Sequence, residues 1–341
     1  LGRNAIPLKS TGGGNMLNYI NTIISVGSVD GILTTAAAIR QLPEMPEVVF
    51  CQAFTVDRVD IRGWKQKRKI LLIDLAVNNR DEKMTSDFVA KILEAGHEIV
   101  GICDEHDAEA WERVLNNNSL TIGDLSFKPI SQASCDAIKS SGALMLYHFK
   151  KLPCSLDEET KLHIKELCEA ADAGDRMDFT THFGGLVNMA VKSKIADDSR
   201  RVYLAKHFAF NREPDEDILG WIKEYEEILK THDEVIASSK IVGPGIIRVD
   251  TFNKIIDMTT LMGEIYKRVP VVVIDGESYS KEAGGKIRQI SIGVKLGYPL
   301  DILATLKAAG VNASGFAQKV NLPPEEEEKA LAAIETAIKN K

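Results

Sequence analysis

Long apolar runs are missing from this sequence. Its candidate strand cores, such as Ile70 to Leu75 or Val269 to Ile274, are far shorter than the ~20 apolar residues a membrane helix needs. No basic start, apolar stretch and small-residue cleavage site stand together, so secretion is unsupported. Cysteine is sparse and scattered: Cys51, Cys103, Cys135, Cys154 and Cys168 are odd in number and contain no CxxC pair. That argues against a zinc cage or a disulfide framework and fits a reducing cytoplasm. Positive charge is in deficit, with a formal net charge of −7, which speaks against broad electrostatic capture of duplex DNA. A local basic groove for a nucleotide or a short single strand stays compatible with it. Tandem repeats are also lacking. No strand precedes Gly12-Gly13-Gly14, so the run is not a dinucleotide fingerprint, and a nicotinamide dehydrogenase is set aside.

What is present is ordinary globular material. Apolar residues make up 44% and charged residues 27% of 341 residues, more than one core of ~100–200 residues holds, so two domains are expected. Leu1 to Asn15 lacks periodicity and reads as a leader or a flexible arm ahead of Met16. From Tyr19 the pattern alternates. Tyr19 to Val26, Glu47 to Phe54, Lys69 to Leu75 and Glu98 to Cys103 read as strands. Ile32 to Arg40 and Lys83 to Ala95 read as helices, with Asp30-Gly31 in a loop. This rhythm implies a mainly parallel sheet covered on both faces, which binds ligands outside its carboxyl ends. Ser134 to Lys150, Asp157 to Asp172 and Pro214 to Ser238 read as further helices, and His97 and His163 fall in surface-like helical contexts. Gly243-Pro244-Gly245 is the clearest breaker, and the domain junction is placed near it. Residues 16–238 then form the first domain and 239–341 a smaller α/β domain, in which the strand–helix rhythm restarts.

Three strand ends of the first domain finish in acids: Asp30, Asp74 and the run Asp104-Glu105-His106-Asp107. Parallel pairing brings them to one sheet edge, where gathered carboxylates repel one another unless a cation intervenes. Carboxylate oxygens with one imidazole suit magnesium or manganese better than zinc. The bland alternative is that each acid caps a helix or solvates a loop.

The order of these segments resembles the DHH phosphoesterase superfamily, which includes RecJ-type exonucleases, oligoribonucleases, cyclic-dinucleotide phosphodiesterases and manganese pyrophosphatases. Ser28-Val29-Asp30-Gly31-Ile32 looks like the first motif, Leu72-Ile73-Asp74-Leu75 like the second, and Cys103-Asp104-Glu105-His106-Asp107 like the Asp-His-His signature. Glu169-Ala170-Ala171-Asp172 is similar to the fourth motif, with Asp175 and Asp178 competing for that role. The C-terminal part resembles a DHH-associated domain. Arg288 to Lys295 stands where a substrate-facing strand runs, and Lys307 to Phe316 where the family has Gly-Gly-Gly-His and its sequel.

The departures are as informative. Ser25, Val26 and Gly27 occupy the stretch where the first motif carries a His, Ser28 replaces its first Asp, and Glu105 replaces the first His of Asp-His-His. Lys307-Ala308-Ala309-Gly310 stands in place of Gly-Gly-Gly-His. The resemblance implies one site for Mn2+ or Mg2+ held by Asp30, Asp74, Glu105 and Asp172, with the second site depleted. It further implies that His106 orients a phosphate, and that Lys286, Arg288 and Asn312 contact substrate. Two functions follow as expectations. One is metal-dependent hydrolysis of a phosphodiester or phosphoanhydride in a nucleotide or short oligonucleotide. The other is a catalytically lapsed protein that binds a nucleotide, nucleic acid or protein partner through the same cleft. The expected partner is a phosphate-containing small molecule or short single-stranded nucleic acid, with no membrane; a homodimer stays open.

Overall fold

The computed structural model describes residues 20–61, 63–135, 138–151, 156–280 and 284–340. The segment read as a leader, Leu1 to Asn15, and Cys154 lie outside them. The chain divides into two compact units, Leu1–Ile222 and Lys223–Lys341.

The first unit is built on four strands, β1 (Thr22–Val26), β2 (Glu47–Cys51), β3 (Lys69–Ile73) and β4 (Glu98–Cys103), in the order β2-β1-β3-β4. Every neighbouring pair is parallel. Side chains alternate across a strand, and here both faces are buried. On β3, Leu71 and Ile73 join one core while Ile70 and Leu72 join another. The first core packs under helices α1 (Val29–Gln41), α4 (Ser141–Lys151), α5 (Glu158–Asp175), α6 (His182–Lys192) and α7 (Asp198–Phe208); the second packs under α2 (Glu82–Glu94) and α3 (Ala108–Asn117). This is the expected parallel α/β domain, with three helices (α3, α6 and α7) that the strand–helix rhythm does not announce. Neither His97 nor His163 is at the surface, as their helical contexts suggest: both are buried, and His163 Nε2 lies 2.7 Å from the Phe208 carbonyl, so α5 presents it to α7.

Helix α8 (Glu216–Ala237) leads from one unit into the other; Ile218 and Ile222 pack in the first, Val235 and Ile236 in the second. The second unit has a mixed sheet of β5 (Lys240–Gly243), β6 (Ile246–Asp250), β7 (Val271–Ser280), β8 (Gly285–Val294), β9 (Ser314–Phe316) and β10 (Lys319–Leu322), in the order β5-β6-β7-β8-β10-β9. Strands β6 and β7 run parallel and the other neighbours antiparallel. Helices α9 (Met258–Tyr266), α10 (Ile302–Ala308) and α11 (Glu327–Lys339) complete it. Gly243-Pro244-Gly245 falls at the β5–β6 hairpin inside this unit, with Gly245 at φ 70°. A Gly-Pro-Gly triplet serves a reversal as readily as a linker, because glycine reaches positive φ without steric cost.

Candidate metal centre and cleft

Strand β1 ends at Val26, and Ser28 turns the chain into α1 by capping it: the Gly31 amide donates to its Oγ at 2.8 Å. The helix therefore starts at Val29, and Asp30 sits in its first turn rather than in a loop. Gly31 is required there, since a Cβ would lie 2.1 Å from the Val26 carbonyl oxygen. Asp30 is buried. Its carboxylate accepts from the Thr34 hydroxyl at 2.9 Å and from the Ser141 and Gly142 amides at 3.2 Å each, tying α1 to the start of α4. Burial pushes it up to about 7, against the lowering effect of these hydrogen bonds.

Asp74 follows β3 in a left-handed backbone conformation, φ 54°, with its amide bonded to the Cys103 carbonyl at 2.9 Å. Such a conformation is costly for a non-glycine residue and is concentrated at functional positions. Its carboxyl is raised well above the usual range by burial and by the charges of Asp30 and Glu105, and the Ser28 hydroxyl donates to it at 2.6 Å.

Strand β4 delivers the third group. Asp104 is buried; it accepts from Trp111 Nε1 at 3.0 Å and bonds His106 Nδ1 at 2.9 Å. That fixes the imidazole ring and leaves Nε2 as the nitrogen for a ligand. The Asp104 hydrogen bond raises His106 to about 9. Glu105 is fully buried, and both its carboxylate oxygens lack a hydrogen-bond donor among the described residues. Burial, followed by the charges of Asp104 and Asp30, pushes it up to about 9.

Where the family resemblance implies one site, the donor atoms fall into two groups that share Glu105. Asp74, Glu105 and His106 form one, and Asp30, Glu105 and Asp175 the other, with the atoms of each group within 4.8 Å of one another. Hard divalent cations bind oxygen at ~2.1–2.6 Å, so these spans suit a shared ion. A buried carboxylate without a hydrogen-bond donor, such as Glu105, is expensive unless it is protonated or meets a cation, and the nearby His106 Nδ1 stands 3.4 Å off. The oxygen-rich set fits magnesium or manganese rather than zinc.

Asp172, expected as the fourth-motif ligand, is placed outside both groups. It accepts from Ser140 Oγ at 2.7 Å and pairs with Arg176, and Asp175, three residues on at the end of α5, faces the centre instead. Asp178 accepts from the Thr180 hydroxyl at 2.7 Å. Asp175 and Asp178 compete with Asp172 because they lie close to it in sequence, and sequence alone does not fix which of the three turns inward. Arg201 is a residue that sequence reasoning missed. It is buried, donates from Nε to the Gly27 carbonyl at 3.0 Å, and leaves no room for a Cβ at Gly27.

The cleft above the acids has a volume of about 470 Å³, and Val26, Ser28, Asp30, Asp74, His106 and Asp175 line it. The residues expected to grip substrate, Lys286, Arg288 and Asn312, lie in the second unit. Lys286 pairs with Glu277 at 3.0 Å, and Arg288 donates to the buried Asp275 at 2.8 Å. Asn312 is exposed in the segment after α10.

A parallel α/β domain with acids at its strand ends, followed by a smaller mixed-sheet domain, is the two-domain arrangement expected from the sequence. The solved structure of the pGpG-specific phosphodiesterase PggH from Vibrio cholerae is similar, with a TM-score of 0.59 and 12% identity over 95% of this chain and 99% of that one. RecJ from Thermus thermophilus, in complex with Mn2+, matches at a TM-score of 0.47 and 11% identity, over 94% of this chain and 52% of that one. No family model and no curated protein sequence matches the chain. No helix among the described residues is long and apolar enough to cross a membrane.

Proposed function

We propose that this chain is a divalent-cation-dependent phosphoesterase acting on a phosphodiester or phosphoanhydride in a nucleotide or short oligonucleotide. The observation that carries the proposal is Glu105: fully buried, with no hydrogen-bond donor to either oxygen among the described residues, His106 Nδ1 3.4 Å away, and common to two groups of donors. Asp74 and His106 on one side of it, and Asp30 and Asp175 on the other, are the residues to hold Mn2+ or Mg2+. Such an ion, when bound, polarises a phosphoryl oxygen and makes a nucleophile of water near neutral pH. The chain's own contribution is placement. The α1 and α4 backbones hold Asp30, the left-handed turn after β3 holds Asp74, and Trp111 with Asp104 sets the His106 ring and leaves its Nε2 for the ion.

A second reading, a lapsed member that binds without turnover, draws on different observations. Ser28 stands in place of a ligand and spends its hydroxyl on Asp74, and the Lys286 and Arg288 charges are matched by Glu277 and Asp275. Assay of the purified chain with manganese separates the two, using bis-p-nitrophenyl phosphate, pyrophosphate and short oligonucleotides as substrates. Slow, manganese-dependent hydrolysis that Glu105→Gln abolishes is expected. Manganese uptake without hydrolysis supports the binding protein, and no uptake overturns the centre.

A further inference from the structure

The rim of the acidic cleft carries side chains that hydrolysis of a phosphate does not need. Phe54, in the short 3-10 helix Ala53–Arg58 that follows β2, is 66% exposed, and Met177, just past the end of α5, is 65% exposed; both line the same cleft as Asp30, Asp74 and Asp175. Phe179, half-buried, lines it too. Met177 is held at φ 60°, an uncommon backbone state for a side chain of its size, in a segment where a polar residue would be the cheaper surface choice.

Resting on the phosphoesterase reading above, we infer that Phe54 and Met177 form a clamp for the nucleobase of a ligand whose phosphate lies at the acidic centre. The ligand chemistry follows from the two ends of one cleft. Carboxylates that gather a divalent cation call for an anionic group, and exposed aromatic and thioether side chains beside them call for a flat, apolar, polarisable one. Inorganic pyrophosphate supplies only the first, and a sugar phosphate faces the rim with hydroxyls. A nucleoside phosphate supplies both. A volume of about 470 Å³ lies within the ~300–1,000 Å³ of small-ligand sites. Phenylalanine offers its face for stacking, and a methionine sulfur is favourable against an aromatic ring. Stacking of this kind is tolerant of base identity because every base has a π-face. The clamp therefore selects for the presence of a base and discriminates weakly among bases. A base paired in a duplex has no free face to offer, so single-stranded or mononucleotide ligands are favoured.

The test compares adenosine 5′-monophosphate with ribose 5-phosphate, titrated calorimetrically into the intact protein at saturating manganese. The nucleotide is expected to bind about 5- to 150-fold more tightly. Phe54→Ala should bring that ratio close to one, and Phe54→Trp should restore it. A purely structural role for Phe54 lowers both affinities together, so an unchanged ratio in Phe54→Ala overturns the clamp, as do equal affinities in the wild type. Absence of nucleotide binding in a protein that takes up manganese overturns the clamp and leaves the metal centre standing. Absence of manganese uptake overturns the parent reading, and the clamp with it.

Discussion

Asp74 concentrates the energetics of the centre in one residue. It holds φ 54°, its carboxyl is buried, and Asp30 and Glu105 both raise it. Asparagine tolerates the left-handed region better than most residues and can still accept from Ser28, so Asp74→Asn removes charge with little change of backbone. The metal-free variant is expected to be more stable at pH 8 by about 1 kcal/mol, seen as a higher Tm. Its manganese affinity should fall ~10-fold or more, seen by titration. The pH dependence has a definite sign. Asp30 rises from 3.8 to about 7, and Glu105 from 4.5 to about 9, on folding. Between those limits the folded protein binds more protons than the unfolded one, so metal-free stability falls as pH climbs. His106, raised from 6.5 to about 9, acts in the same direction: its contribution is full below its unfolded value and is lost as pH passes its folded one. Scanning calorimetry of the chelated protein should show Tm dropping by ~2 °C or more from pH 5 to pH 9, about 1 kcal/mol at this size. Manganese should flatten or reverse that trend, because it competes with the protons for the same oxygens. A Tm that climbs over the same range without metal would show that the carboxyls are already charged and otherwise compensated.

At the scale of elements, the strand–turn–helix of β1 and α1 shows how a short motif serves packing and site together. The Gly31 α-carbon faces the Val26 carbonyl so closely that a Cβ would stand 2.1 Å from that oxygen and 2.9 Å from Ser25 Oγ. Gly31→Ala must push α1 away from β1, which should cost about 1–3 kcal/mol by denaturant unfolding and displace Asp30 with it. A loss of manganese affinity beyond the stability loss is the expected companion, and wild-type affinity in a folded Gly31→Ala protein would separate the motif's packing from the site. The strands around this unit were legible because an apolar run ending in an acid is a local signal: Ile70 to Asp74 and Ile99 to Asp104 each carry it whole. The two-faced burial of β3 also follows from its unbroken apolar sequence. What was not legible depended on which way a helix faces. Asp172, Asp175 and Asp178 are spaced by three, and only the packing of α5 against α1 and α4 decides that Asp175 reaches the centre while Asp172 meets Ser140 and Arg176. Arg201 was invisible for the same reason, since its contact with Gly27 spans 174 residues of sequence.

For the molecule as a whole, the restart of strand–helix alternation announced a second unit. The hairpin chemistry of Gly243-Pro244-Gly245 could not be told from that of a linker, because both need the same residues. Whether Ser28 and Val26 restrict the proposed hydrolysis is testable on this fold. Ser28 has two tasks: its oxygen caps α1 by accepting from Gly31, and its hydroxyl donates to Asp74. Aspartate caps a helix as well as serine does, so Ser28→Asp keeps the first task while adding a carboxylate to the cleft. Val26 also lines the cleft, so Val26→His brings an imidazole to that wall. If the missing ligands restrict turnover, the double variant should raise manganese-dependent hydrolysis of bis-p-nitrophenyl phosphate at least ~10-fold over a slow wild type, equivalent to about 1.4 kcal/mol of transition-state stabilisation. A lapsed binding protein would stay inert in both forms. Fast wild-type turnover that the double variant lowers would mean that Glu105 and Asp175 already complete the centre, and that Ser28 is part of a working arrangement rather than a gap in one.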